Sequence, residues 1–247
     1  MKKNYKVLSV FIFLASFSTV THATENVLIT SDNFALKTDY FKPNIASDRA
    51  VLMLHQCNYN RSMYTKIGEQ LAQLGIHALS LDFRGFGESV NHQYDIEKVR
   101  SQPDDTRRSA WLTLSQNWPD DVALAYNYLK NKIGNHGRIA IIGASCGGTQ
   151  AVNLAQSTPM SAIVFFSSAQ NETNIARYKT DLANVPTLII AAEQDGRTYS
   201  SAKTLFDSAM HINSKLISYK GSEHGYPLLT KDPNLAQLMV SWLNQQL

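Results

Sequence analysis

The sequence predicts an α/β fold, in which a mostly parallel β-sheet is covered by helices on both faces and begins with an antiparallel hairpin. Short apolar runs rich in Val, Ile and Leu recur along the chain, as in strands that are buried on both faces. Segments with helical periodicity separate these runs, and this alternation is typical of parallel sheets. Two alternating runs around a short polar turn precede them, which indicates a hairpin.

The predicted elements follow in chain order. The hairpin has its arms at 26–30 and 34–40, and the buried strands are predicted at 50–55, 76–82, 138–143, 161–167, 186–192 and 215–220. Helical stripes are predicted at 63–74, 122–129, 202–209 and 235–243, the last opened by Asp232 as a cap and Pro233 in the first turn. The short connection 169–185 predicts little or no lid, and we expect the longer stretch 89–119 to wrap the mouth of a pocket.

Residues 1–23 have the pattern of a secretory signal peptide, with three lysines, an apolar run at 7–20 and a small-residue cleavage site ending at Ala23. The run is shorter than the roughly 20 residues that cross a bilayer, although a retained anchor is the alternative. We therefore expect an exported protein, periplasmic or secreted, without stable membrane insertion. Residues 24–247 contain no repeat or composition break and predict one domain.

Charge and cysteine content narrow the function classes. The signal segment holds 3 of the 23 basic residues and none of the 20 acidic ones, so the remainder has no net charge and no basic stripe for nucleic acid. Two cysteines and no paired-histidine spacing are too little for a zinc cluster, so we expect no metal. In an exported protein, Cys57 and Cys146 would meet an oxidising compartment.

The strongest chemical signal is the run Gly143-Ala144-Ser145-Cys146-Gly147, which lies between a predicted strand and a helical segment. A nucleophile on so sharp a strand-to-helix turn is exposed, and the crowding demands small residues two before and two after it. The helix N-terminus behind it offers unpaired N–H groups to a developing oxyanion. The alternative is an ordinary glycine-rich turn.

A serine nucleophile needs a base that is oriented by a third group. His224 follows the last predicted strand, and Asp195 follows the strand before it. Because carboxyl ends of parallel strands meet at one edge of a sheet, the sequence predicts a Ser145, Asp195 and His224 triad. Glu193 is the alternative acid.

Two further segments extend the pattern. The run 82–89 (DFRGFGES) resembles the D-x-R-G-x-G-x-S turn of the α/β-hydrolase family, and 52–58 (LMLHQCN) is similar to its H-G-x oxyanion loop. The chain thus resembles α/β-hydrolases over the whole segment after residue 23, within the dienelactone-hydrolase-like group of small members. The resemblance implies the α/β-hydrolase fold, a serine hydrolase acting on small-molecule carboxylic esters, and no cofactor. Dienelactone hydrolases proper carry cysteine where Ser145 stands, and Cys146 is the alternative nucleophile.

The same resemblance places the oxyanion donors at the backbone N–H groups of Cys57 and Cys146. Gln56 stands where the family usually has glycine, and its N–H is the alternative donor. Donors that share one oxygen bring their residues close together, so a Cys57–Cys146 disulfide is one hypothesis and two buried thiols are the other.

The loops around the predicted triad carry aromatic residues that could line an acyl pocket. Tyr59, Phe86 and Tyr226, together with Gln56, are the candidates, although simple packing is the alternative. Two other functions stay open: a peptidase or amidase with the same triad, and a non-catalytic binding protein, which Gln56 favours.

Overall fold

The computed structural model describes residues 24–31 and 33–247, so the predicted signal peptide at 1–23 lies outside the described residues. The strands are β1 Thr24–Ser31, β2 Phe34–Phe41, β3 Arg49–Leu54, β4 His77–Leu81, β5 Arg138–Ala144, β6 Ala162–Phe166, β7 Thr187–Ala192 and β8 Lys215–Tyr219. They form one eight-stranded sheet in the order β1-β2-β4-β3-β5-β6-β7-β8. The first two strands pair antiparallel, β2 pairs antiparallel with β4, and every later pairing is parallel.

Helices flank this sheet. They are α1 Thr65–Gln73, α2 Ile96–Arg100, α3 Asp104–Ser115, α4 Trp118–Ile133, α5 Cys146–Ala155, α6 Glu172–Arg177, α7 Gly196–Ser208, α8 Tyr226–Lys231 and α9 Leu235–Gln246. A 3₁₀ turn at Arg61–Tyr64 precedes α1, and a π-helical turn at Tyr178–Leu182 follows α6. Within the described part of the chain, no helix has both the length and the apolar character needed to cross a bilayer.

The central strands are apolar throughout because each contributes to two separate cores. In β3, Leu52 and Leu54 pack into one core, whereas Val51 and Met53 pack into the other. Alternate side chains of a strand point to opposite faces, so both faces of this sheet need helical cover. The predicted fold class is confirmed, with the antiparallel hairpin at its start and only α6 and the π-helical turn where a lid could stand.

Two local predictions need correction or extension. The last helix begins at Leu235 with Asn234 at its N-cap, so Asp232 is not its cap. The Asp232 carboxylate instead accepts hydrogen bonds from the Tyr219 hydroxyl at 2.7 Å and from the Asn234 N–H at 2.9 Å. The stretch 89–119 folds into α2 and α3, and the Arg100 guanidinium at the end of α2 donates to the Cys57 carbonyl at 3.1 Å.

Two buried carboxylates fix the glycine-rich turn after β4. The Arg84 guanidinium donates to both carboxylate oxygens of Asp121 on α4, at 3.0 and 2.6 Å. Asp82 accepts from the Glu88 N–H at 2.9 Å, closing the turn on itself. Gly87 has φ +53°, and a Cβ there would lie 2.1 Å from an Asp82 carboxylate oxygen, so this position requires glycine. The turn is therefore a rigid support beside the sheet's carboxyl edge.

Candidate active site

Ser145 lies on a very tight turn between β5 and α5. Its φ of 51° and ψ of −117° place a non-glycine residue in left-handed backbone space, which costs energy and persists only where surroundings enforce it. A Cβ on Gly143 would lie 2.5 Å from the Gly148 Cα, and one on Gly147 would lie 2.4 Å from the Leu54 carbonyl oxygen. These backbone contacts explain why the G-x-S-x-G spacing needs small residues on both sides of the serine.

The backbone of Ser145 is held by the segment that follows β6. The Ser145 N–H donates to the Phe166 carbonyl at 2.9 Å, and the Ser168 hydroxyl donates to the Ser145 carbonyl at 2.6 Å. The Gln170 side-chain amide donates in turn to the Ser168 hydroxyl at 2.7 Å. Sequence reasoning missed this support. The sequence signal for it was a pair of serines directly after a wholly buried strand. In the structure Ser168 lies against Gly148, where a Cβ would be 2.1 Å from the Ser168 Oγ.

His224 and Asp195 meet across the neighbouring strand ends. The His224 Nδ1 and an Asp195 carboxylate oxygen are 2.7 Å apart. The alternative acid, Glu193, instead forms an ion pair with Lys220 at 2.5 Å. Asp195 is therefore the acid that the structure places against the imidazole.

A disulfide joins Cys57, in the loop after β3, to Cys146, the first residue of α5. The S–S distance is 2.04 Å and the two Cα atoms are 5.8 Å apart. The bridge ties residues 55–59, called here the β3 loop, to the turn that carries Ser145. It also occupies the Cys146 sulfur, which in this state is not a thiolate nucleophile. The backbone N–H of Cys146 lies in the first turn of α5, where amides lack helical acceptors.

His55 shapes the base of the β3 loop. Its ring is fully buried, its Nδ1 lies 2.8 Å from the Gln56 carbonyl, and its Nε2 accepts from the Phe83 N–H at 3.0 Å. An N–H can only donate and a carbonyl can only accept, so the proton of the neutral ring is on Nδ1. Burial lowers the pKa of His55 to about 4, which keeps the ring neutral.

Gln56 joins the β3 loop to the segment that carries His224. Its side chain is buried, and its Oε1 accepts a hydrogen bond from the Tyr226 N–H at 2.6 Å. The connection spans 170 residues of sequence. Through the disulfide the β3 loop is bonded to the Ser145 turn. Through Gln56 it is bonded to Tyr226, the residue directly after the histidine loop, which is defined here as residues 221–225.

The other predicted pocket residues differ in exposure. Phe86 is only 2% exposed and packs its ring against His55, Trp111 and Trp118. Tyr59 and Tyr226 are partly exposed and stack with ring centroids 4.3 Å apart. The two tyrosines, rather than Phe86, therefore present surface beside the histidine loop.

No group of three or more His, Cys, Asp or Glu side chains suited to a metal ion occurs among residues 24–31 and 33–247.

Comparison with known proteins assigns the chain to a family. The profile of the dienelactone hydrolase family matches residues 36–237. The chain belongs to the dienelactone hydrolase family. Its fold is shared by a cold-adapted esterase from an Arctic intertidal metagenomic library, with a TM-score of 0.68 and 15% identity over 93% of this chain and 96% of the other.

Two further solved structures share this fold. A predicted CIB-like hydrolase from Thermoplasma acidophilum aligns with a TM-score of 0.65 and 17% identity over 91% of this chain and 99% of the other. A dienelactone hydrolase from Anabaena variabilis aligns with a TM-score of 0.61 and 20% identity, covering 90% of this chain and 97% of that one.

The disulfide should stabilise the fold because it closes a long loop in the unfolded chain. The two cysteines are 89 residues apart, for which the chain-entropy model gives about 4.6 kcal/mol. Urea unfolding with and without reductant should show that loss of unfolding free energy. The Cys57→Ala/Cys146→Ala double variant is the control, since reductant should leave its midpoint unchanged. An equal midpoint for the wild type in both conditions would contradict the prediction.

His55 should make the protein less stable as the pH falls from 6.5 to about 4. In that window the unfolded chain, with an ordinary pKa of 6.5, binds a proton that the folded ring does not. The unfolding free energy should fall by about 1.4 kcal/mol per pH unit, or about 3 kcal/mol in all, from this residue. Burial lowers the pKa of His77 as well, which adds a slope of the same sign.

The control for this prediction is the His55→Gln variant, measured by urea unfolding across the same pH range. Its unfolding free energy should vary less steeply with pH than that of the wild type, whatever its absolute stability. Parallel curves for the two proteins would show that His55 is not the group that titrates.

Proposed function

We propose that the protein is an ester hydrolase in which Ser145 is the nucleophile, His224 the general base and Asp195 the group that orients the imidazole. The observation that carries this proposal is the strained backbone of Ser145, held by glycine contacts on a strand-to-helix turn. Residues with strained backbones cluster at functional sites, and in other α/β-hydrolases this kind of strand-to-helix turn exposes the nucleophile. The His224–Asp195 contact at 2.7 Å supports the assignment of base and acid.

The proposed reaction follows from the roles of these atoms. With Nδ1–H donating to Asp195, the Nε2 of His224 is the free acceptor that takes the Ser145 proton as Oγ attacks the ester carbonyl. The imidazolium then gives that proton to the leaving alcohol, and an acyl-enzyme remains. Water adds to the acyl group by the same proton transfer, which releases the acid and restores the serine.

We assign the stabilisation of the negative charge on the carbonyl oxygen to the backbone N–H groups of Cys57 and Cys146. The 5.8 Å between their Cα atoms supports a shared target, and the N-terminal end of α5 adds a favourable dipole. Removing one such donor typically costs about 3 kcal/mol of transition-state stabilisation.

The open surroundings of the proposed triad support small or soluble esters as substrates. No lid domain stands between β6 and β7, and the partly exposed Tyr59–Tyr226 pair lies beside the histidine loop. Tyr226 also lines a cavity of about 270 Å³ between α1 and α8, with Met63, Ile67 and Leu229 in its wall. We assign the tyrosine pair to the acyl or alcohol group of the ester.

We also propose that the protein is exported, to the periplasm or beyond. The disulfide supports this, because such bridges persist in oxidising compartments. Edman sequencing or mass spectrometry of the exported chain should find Thr24 as its first residue. A chain that stays in the reducing cytosol with residue 1 retained would contradict export while leaving the hydrolase proposal intact.

Ser145→Ala should reduce the hydrolysis of p-nitrophenyl acetate and butyrate by at least about 10⁴-fold in kcat, because no nucleophile remains. Ser157→Ala, which alters an exposed serine after α5, is the matched control and should keep wild-type kcat. Aminoacyl p-nitroanilides, assayed beside the esters, should be poor substrates.

Three results would contradict the proposal in different ways. Full activity in Ser145→Ala would remove the serine from the chemistry. Faster cleavage of anilides than of esters would favour a peptidase. Absence of any hydrolysis, and of any adduct with a fluorophosphonate, in folded wild-type protein would favour a binding protein.

A further inference from the structure

Gln56 occupies the position where the sequence pattern of the β3 loop would place a glycine, so its side chain needs an explanation. Gln56 is only 1% exposed, so its side chain lies away from solvent. Its Nε2 donates to the Asn58 side chain within the β3 loop, and its Oε1 accepts from the Tyr226 N–H at 2.6 Å. The side chain therefore bridges two loops that lie far apart in sequence.

The partner of Gln56 is an amide that the local backbone leaves without an acceptor. Tyr226 is the first residue of α8, and the first N–H groups of a helix have no carbonyl within the helix to bond. An N-cap side chain accepts from the second or third amide of a helix, so it leaves the first amide without a partner. The N-cap of α8 is Gly225, which has no side chain, and the Gln56 carboxamide supplies the acceptor for the first amide from outside the helix.

The fit between Gln56 and Gly225 is close. Gly225 has φ +66°, which favours glycine, and a Cβ there would lie 1.9 Å from the Gln56 Oε1. A side chain at residue 225 and the carboxamide at residue 56 could not both keep their places. The glycine that is missing from the β3 loop is thus matched by a glycine in the histidine loop, directly after His224.

Among the contacts that hold the histidine loop, three come from segments around the proposed triad. The Gln194 N–H donates to the Gly221 carbonyl at 2.8 Å, and Asp195 contacts the His224 ring at 2.7 Å. Gln56 holds the other end through the Tyr226 N–H. Without Gln56, the segment after His224 would keep the ring stack of Tyr59 on Tyr226 but lose its hydrogen bond to the β3 loop, so the imidazole would be less restrained against rotation.

We propose that Gln56 is a positioning residue that sets the His224 imidazole relative to Ser145. The disulfide holds the β3 loop on the Ser145 turn, and the Gln56 carboxamide holds the histidine loop on the β3 loop. Together they fix the base against the nucleophile through a single short segment. This inference rests on the proposed hydrolase function, since it concerns the geometry of the same triad.

The test compares two substitutions at residue 56. Gln56→Met keeps the length and burial of the side chain but removes the acceptor, and its kcat for p-nitrophenyl acetate should fall about 10- to 100-fold with KM within about threefold. Gln56→Glu keeps an acceptor oxygen and should recover most of this loss, to within about fivefold of wild type at its pH optimum. A kcat for Gln56→Met within about twofold of wild type, or a loss confined to KM, would overturn the proposal.

Tyr178→Phe is the matched control. It removes a buried hydrogen bond of 3.0 Å to Thr187, at the end of β7 opposite the site. It should lower the melting temperature at least as much as Gln56→Met while keeping wild-type kcat. A similar fall in kcat in both variants would reduce the effect to general destabilisation and refute positioning.

A second readout does not depend on hydrolysis. With ¹⁵N-labelled histidine, the Nδ1–H proton of His224 should give a protected downfield signal in the wild type and in Gln56→Glu, and a broadened or absent one in Gln56→Met. An unchanged signal in Gln56→Met would refute the proposal. If the wild type hydrolyses no ester, the proposed function fails, and this signal still decides whether Gln56 positions the imidazole.

Discussion

The close approach of backbone to backbone around Ser145 is the constraint on which the site depends. Where β5 turns into α5, Gly143 lies against Gly148, and Gly147 lies against the carbonyl of Leu54 at the end of the neighbouring strand. Side chains at these glycines would force the strand and helix apart. Because they are absent, the surroundings can hold Ser145 at a φ of 51°, which an isolated serine would avoid. The position of the proposed nucleophile thus depends on glycine packing contacts that take no part in the proposed chemistry.

Besides the oxyanion role that the family pattern suggests, the β3 loop connects the Ser145 turn to the histidine loop. It is bonded covalently to the Ser145 turn through Cys57 and Cys146, and it reaches the histidine loop through Gln56. Its own shape is set by the buried, neutral ring of His55. The described part of the chain therefore fixes the proposed catalytic groups with a few short-range connections.

Most of the fold could be predicted because its signals are local. The central strands are apolar runs and the main covering helices have 3.6-residue stripes, so a mostly parallel sheet with helices on both faces follows from general rules of chain topology. The strand order, in which β4 lies between β2 and β3, does not follow from these local signals. The contacts that finish the site could not be predicted in this way. The Ser168 hydroxyl on the Ser145 carbonyl and the Gln56 carboxamide on the Tyr226 N–H join residues far apart in sequence, and neither leaves a periodic signal. The start of α9 was misplaced for a related reason, since Asp232 bonds to Tyr219 on β8 instead of capping the helix.

A crystal structure of the protein after reaction with a p-nitrophenyl alkylphosphonate would test the central claim most directly, because the tetrahedral phosphonate mimics the charged intermediate. The account predicts phosphorus bonded to the Ser145 Oγ, with its free oxygen about 2.7–3.1 Å from the backbone nitrogens of Cys57 and Cys146 and His224 Nε2 facing the leaving-group side. Phosphorus on another residue, or an oxygen directed away from both nitrogens, would contradict it.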